Sequence, residues 1–142
     1  MSNEFVLDCS VTMAWFFEGE ATPATDALLD QINKGGQAVV AQHWPLEVGN
    51  TLLTGERRKR TSSADSAHFI GILGALAIET DKETGANATS ATLALARSHG
   101  LTLYDGANLE LAMRRNVPLA TLDKELRSAA KNVGVKCLPE RI

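Results

Sequence analysis

The sequence has little cysteine, few aromatic residues and no excess of basic charge, and each shortage narrows what the chain can be. Cys9 and Cys137 are the only cysteines, and they fit neither a metal-ligand spacing nor a disulfide framework. Reduced thiols and a cytoplasmic location are the expectation. No apolar run approaches the roughly 20 residues of a membrane helix. Residues 1–5 carry Glu4 and no basic residue, unlike the start of a secretory leader. The formal net charge is −3, which argues against a general polyanion binder, because such proteins are usually basic. An enzyme that meets a nucleic acid through a bound cation is not excluded by it.

What is present is an ordinary globular composition, 44% hydrophobic and 22% charged over 142 residues, without linker, repeat or low-complexity tract. A single domain over residues 1–142 follows. Phe5-Val6-Leu7 reads as a buried strand ending at Asp8, and Ala38-Val39-Val40 as a second. Thr22-Pro23 opens a helix, with threonine capping and proline at the first helical position, and Gly35-Gly36 closes it. Pro45 begins another helix, Ser62 or Ser63 restarts one through Phe69, Ile72, Leu73 and Leu76, and a further helix covers Ala88 to Ser98. Strands are expected at Leu101–Tyr104, Val117–Thr121 and Val135–Leu138, with helices after the first two. Such alternation implies an α/β fold with right-handed crossovers and a largely parallel sheet.

Asp8, Asp105 and Asp123 each fall at or just beyond the carboxyl end of an expected strand. In open parallel sheets that edge binds ligands, near the point where strand order reverses. Carboxylates gathered in one place raise each other's pKa unless a cation neutralises them, and hard oxygen ligands suit Mg²⁺ or Mn²⁺. Convergent acids without histidine or cysteine ligands point to phosphodiester hydrolysis. An aspartate between strand and helix is also an ordinary helix cap, so capping, coordination or both are open to Asp105 and Asp123. Glu47, two residues after Pro45, has the alternative of favouring the helix dipole. Asp8 has no comparable structural excuse.

These residues, taken in order, resemble the PIN domain, and within it the VapC-type toxins of type II toxin–antitoxin pairs. Phe5-Val6-Leu7-Asp8-Cys9-Ser10 is similar to the family's first strand with its acid and following hydroxyl. Trp44-Pro45-Leu46-Glu47-Val48-Gly49-Asn50 is similar to the helix carrying the second acid, with Asn50 one turn on. Leu103 to Ala112 resembles the segment of the third acid, Asp105, and Pro118 to Leu126 that of the fourth, Asp123. The match spans nearly the whole chain. The resemblance implies a three-layer α/β/α sandwich with a central, mostly parallel sheet. It also implies endoribonuclease activity dependent on one or two Mg²⁺ or Mn²⁺ ions, a homodimer, and a cognate antitoxin protein occupying the site. Asp8, Glu47, Asp105 and Asp123 are the implied catalytic and metal-binding residues, with Ser10, Thr121 and Asn50 in support. Asp8, Glu47 and Asp105 are assigned to the first ion, with Asp123 completing the site directly or through water. Asn108 and Glu125 stand near positions where many PIN domains carry a further acid.

Other residues have plainer readings. Arg57-Arg58-Lys59-Arg60 and Arg114-Arg115 either contact RNA phosphates or close helices with favourable charge. Trp15 and Trp44 suit core packing better than base stacking, with Trp15-Phe16-Phe17 also a candidate antitoxin contact. His43, His68 and His99 share no ligand spacing, and Cys9 reads as packing. Gly71 and Gly74 suggest a close helix approach, across a dimer or within the chain. A phosphohydrolase with an aspartyl nucleophile would need a second acid where Ser10 stands. The remaining alternative is a non-catalytic PIN-fold module that acts through protein contacts and is indifferent to Mg²⁺.

Overall fold

The computed structural model describes residues 3–142; Met1 and Ser2, part of the expected leaderless start and of the 1–142 domain, lie outside the described residues. In chain order the elements are β1 (Glu4–Leu7), α1 (Cys9–Ala14), a 3₁₀ turn (Glu18–Glu20), α2 (Pro23–Asn33) and β2 (Gln37–Val40). Then come α3 (Trp44–Arg57), α4 (Ser63–Gly74), β3 (Ile78–Thr80), α5 (Thr84–Asn87) and α6 (Ala91–His99). The chain finishes with α7 (Leu103–Arg115), β4 (Leu119–Ala120), α8 (Lys124–Asn132) and β5 (Cys137–Leu138). The strands form one sheet, ordered β3-β2-β1-β4-β5, with every pair parallel. β1 is therefore central, and strand order reverses between β1 and β4.

Strands covered on both faces must be apolar throughout, and the alternation of side chains sorts them into two cores. Val6, Val39 and Leu119 face Leu109, Leu111 and Ala112 of α7 and Leu126, Ala129 and Ala130 of α8. Phe5, Leu7, Ala38 and Val40 face Val11 of α1 and Leu28 and Ile32 of α2. Beyond the second layer, α1, α3 and α4 pack through Met13, Val48, Leu52, Phe69 and Leu73. This is the three-layer α/β/α sandwich.

Local chemistry sets several boundaries as expected. Thr22 Oγ1 accepts from the Thr25 amide at 3.1 Å while Thr25 Oγ1 accepts from the Thr22 amide at 3.0 Å, a reciprocal cap ahead of Pro23. Gly100, at φ 62°, takes the left-handed turn that ends α6. Gly106 lets α7 approach α6, since a Cβ there would stand 3.1 Å from Ala96 Cβ. The expected close approach at Gly71 and Gly74 is not made within the chain, where a Cβ at either would meet nothing within 4 Å.

Three expectations need correction. Leu101–Tyr104 is not a strand: Thr102 Oγ1 accepts from the Asp105 amide at 3.1 Å, so α7 starts at Leu103, while Leu101 packs on the core from the connection. The strands expected at Val117–Thr121 and Val135–Leu138 contract to β4 and β5, two residues each. The sheet also contains β3, an edge strand whose Ile-Glu-Thr sequence has no apolar run and is held by pairing with β2.

Both tryptophans act in packing as expected. The Trp15 indole donates to the Thr25 carbonyl at 2.8 Å, and that of Trp44 to Thr12 Oγ1 at 3.0 Å. Arg114 forms a partly buried network, donating to both oxygens of Asp81 at 3.0 and 2.8 Å, to Glu110 and to the exposed Glu83. It fastens α7 over the end of β3. Among the described residues no helix is long and apolar enough to cross a membrane.

Candidate active site

Asp8 leaves the end of β1 where strand order reverses, and its amide donates to the Ala120 carbonyl of β4 at 3.0 Å. Its side chain is 6% exposed, so the carboxylate must find donors inside the protein. It finds three. Ser10 Oγ and Thr121 Oγ1 each donate to Oδ2 at 2.7 Å, and Asn108 Nδ2 donates to Oδ1 at 3.1 Å. The hydroxyls are fixed in turn, because Ser10 Oγ accepts from the Leu122 amide at 2.9 Å and Thr121 Oγ1 from the Asp123 amide at 3.1 Å. Burial raises the Asp8 pKa above the ordinary carboxylate value; the Ser10 and Thr121 hydrogen bonds oppose the rise and the charge of Glu47 adds to it.

Asp105 projects from the first turn of α7, not from a strand end. Its half-buried carboxyl is pushed up to about 6, first by burial and then by the charges of Asp8, Asp123 and Glu47, with His43 opposing them. The four acids separated by up to 115 residues in sequence thus share one electrostatic neighbourhood. Glu47 lies in the first turn of α3, and its Oε1 stands 3.2 Å from His43 Nε2, one turn back. That nitrogen is buried and its alignment falls short of a hydrogen bond. Asp123 is exposed and caps α8, its Oδ1 accepting from the Leu126 amide at 3.0 Å.

The supporting residues divide. Ser10 and Thr121 grip Asp8, whereas Asn50 is exposed on α3 and Glu125 on α8, and neither is bonded to the acids. Asn108 enters as a clamp on Asp8 instead of a substitute acid. The signal for it was its place three residues after Asp105, which puts both on one face of α7. The i, i+4 spacing of His43 and Glu47 was a similar signal. Tyr104 joins this rim, with its exposed ring 5.4 Å from that of His43. Cys9 adjoins Asp8 but is packed, and burial pushes its thiol up to about 12, out of nucleophilic use.

Among the described residues no three His, Cys, Asp or Glu side chains are gathered tightly enough to hold an ion as they stand. The donors nevertheless fit a hard divalent cation in kind: all are carboxylate oxygens, and the repulsion that lifts Asp105 is what a cation relieves.

An open parallel sheet carrying a group of acids at the carboxyl edge of its switch point defines a class, an α/β/α domain organised around an electronegative site. The PIN domain family model matches residues 5–132, and the chain belongs to that family. PIN domains are generally nucleases and typically use divalent metals. No curated protein matches the chain. Among solved structures, PAE2754 from Pyrobaculum aerophilum has the same fold, with a TM-score of 0.70 at 24% identity over 96% of this chain and 92% of that one.

Proposed function

We propose that this PIN domain is an endoribonuclease dependent on Mg²⁺ or Mn²⁺, and that it is the VapC-type toxin of a type II toxin–antitoxin pair. The observation that carries the reading is the clamped Asp8 at the switch point, with Asp105 lifted to about 6, first by burial and then by the charges of Asp8, Asp123 and Glu47. Acids that repel one another at a ligand-binding edge cost stability, and a site for a cation gives that cost a purpose.

Asp8, Glu47, Asp105 and Asp123 would hold the cation. When bound, a divalent ion supplies the charge that activates water and stabilises a phosphoryl group in transfer. Ser10, Thr121 and Asn108 hold the Asp8 carboxylate in one orientation, and His43 stands beside Glu47. The resemblance in the Leu103–Ala112 and Pro118–Leu126 segments supports the toxin assignment, and with it a cognate antitoxin and a homodimer.

The test is incubation of total cellular RNA with purified protein in Mg²⁺ or in EDTA. Fragments that appear with Mg²⁺ only are expected. Intact RNA in both, from a folded protein free of antitoxin, would favour a non-catalytic binding module.

A further inference from the structure

Along α8 and the edge strand β5 runs a groove of about 800 Å³ whose wall carries Lys124, Arg127, Lys131 and Lys136, with Glu140 its one carboxylate side chain. Lys124 and Lys131 are seven residues apart, two turns on one face of α8, about 10 Å along the axis. Neither makes an ion pair among the described residues. Among the described residues the Arg127 guanidinium donates only to backbone carbonyls, those of Thr121, Leu138, Pro139 and Glu140. Its charge is held in place and left uncancelled. Lys136 alone is paired, with Nζ 2.9 Å from Glu140 Oε1. Val135, Cys137 and Ile142 add apolar surface to the groove.

This concentration of cations stands out in a chain of net charge −3, and its position matters more than its size. Lys124 directly follows Asp123, and Arg127 holds the carbonyl of Thr121, whose hydroxyl grips Asp8. The Lys124 end of the groove is thus one residue along the chain from Asp123 of the acid group. A polyanion brought to four carboxylates is repelled by them, and fixed cations alongside offset that repulsion at short range. A single strand suits the remaining features, with phosphates meeting the ammonium groups and bases lying on the apolar surface and the lysine stems.

We propose that this groove is the track along which single-stranded RNA lies beside the acid cluster, with Lys124, Lys131 and Lys136 meeting its phosphates. The proposal rests on the ribonuclease reading above.

The test measures binding of a short fluorescein-labelled single-stranded RNA by anisotropy, in EDTA, across a range of salt. Each phosphate contact to a single strand contributes about 0.7 to the slope of log affinity against log salt. Lys124→Ala/Lys131→Ala should therefore flatten the slope by about 1.4, so that wild type loses about sevenfold more affinity than the variant between about 50 and 200 mM. Glu140→Gln, which removes the groove's one side-chain carboxylate, should tighten binding. Arg57→Ala/Arg58→Ala, at the far end of α3, should leave the slope unchanged. Both lysines are exposed, and an unchanged circular dichroism spectrum checks that the variants fold. Equal slopes in wild type and the double-lysine variant overturn the proposal. So does displacement of the RNA by polyglutamate more readily than by unlabelled RNA.

Cleavage of a dinucleotide, too short to reach Lys131, keeps the two readings apart. Mg²⁺-dependent cleavage by wild type, with a flattened slope in the double variant, supports both. Normal cleavage with an unchanged slope sinks the groove alone. A flattened slope with no Mg²⁺-dependent cleavage of any RNA by wild type sinks the nuclease reading and leaves RNA binding in the groove standing.

Discussion

Replacing Asp105 by Asn should make the metal-free protein more stable. The Asp105 carboxylate accepts no hydrogen bond among the described residues, its backbone amide being the group that meets Thr102, so an amide of the same shape loses no partner. What the substitution removes is a charge disfavoured by burial and by three acidic neighbours, which lift the pKa from 3.8 to about 6. At about 1.4 kcal/mol per pKa unit, that rise corresponds to roughly 3 kcal/mol. Asp105 is only half-buried, and solvent screening reduces the figure to about 1–2 kcal/mol. A folded-state pKa above the unfolded one means that the native protein keeps its proton longer. The wild type therefore loses stability as pH climbs from about 4 to about 6, and the loss persists above that. Asp105→Asn lacks this loss. In EDTA at pH 7.5 it should melt about 3–7 °C higher than wild type, taking an unfolding entropy of about 2.1 cal/mol/K per residue. At pH 4, where wild-type Asp105 is largely protonated, the gap should close. Added Mg²⁺ should close it at pH 7.5 by raising the wild type. Calorimetric melts at the two pH values decide the matter: no gain at pH 7.5, or an equal gain at pH 4, would refute the electrostatic reasoning.

Other substitutions probe the supports. Thr121→Val keeps the shape of a fully buried residue but removes a donor to Asp8 and leaves the Asp123 amide without its acceptor. It should cost about 2–4 kcal/mol in urea denaturation and lower RNA cleavage, and a change near zero would count against the clamp. Arg114→Met removes the main partner of the Asp81 carboxylate, which is 1% exposed and keeps only Thr84 Oγ1 and the more distant Arg115, at a cost of up to about 3 kcal/mol. Arg114 also holds the Asp81 pKa down at about 2, so the pair's stabilisation is present above pH 4 and fades as pH falls toward 2. Denaturation curves at pH 3 and pH 7 should show that acid sensitivity in wild type and not in Arg114→Met.

The sequence was most readable where one local rule acted alone. Thr22-Pro23 announced a helix start, Val39-Val40 a strand covered on both faces, and Pro45 a helix that carries Glu47 in its first turn. It misled where two rules competed. Leu101–Tyr104 is as apolar as a short buried strand, but Thr102 and Asp105 also form a capping pair, and the cap won. Asp105 consequently reaches the site from a helix. β3 was invisible because an edge strand with exposed Glu79 and Thr80 carries no alternation to detect. The helix α1 was hidden because Cys9–Ala14 is short and almost wholly buried, leaving no polar face to mark its period. The clamp of Asn108 on Asp8 joins residues 100 apart, and only the packing of α7 across β1 brings them together. The basic groove has the same origin, since Lys136 joins Lys124 and Lys131 only after β5 pairs with β4.

The measurement that bears most directly on the central claim is the single-turnover rate of RNA cleavage as a function of Mg²⁺, for wild type and for Asp8→Asn, Glu47→Gln, Asp105→Asn and Asp123→Asn in parallel. A wild-type rate that rises with Mg²⁺ and vanishes in EDTA is expected. Loss of at least a hundredfold is expected in Asp8→Asn and Asp105→Asn, on the order of what removing one preorganised charge-stabilising group costs. Undiminished, Mg²⁺-dependent cleavage by folded Asp105→Asn would contradict the account.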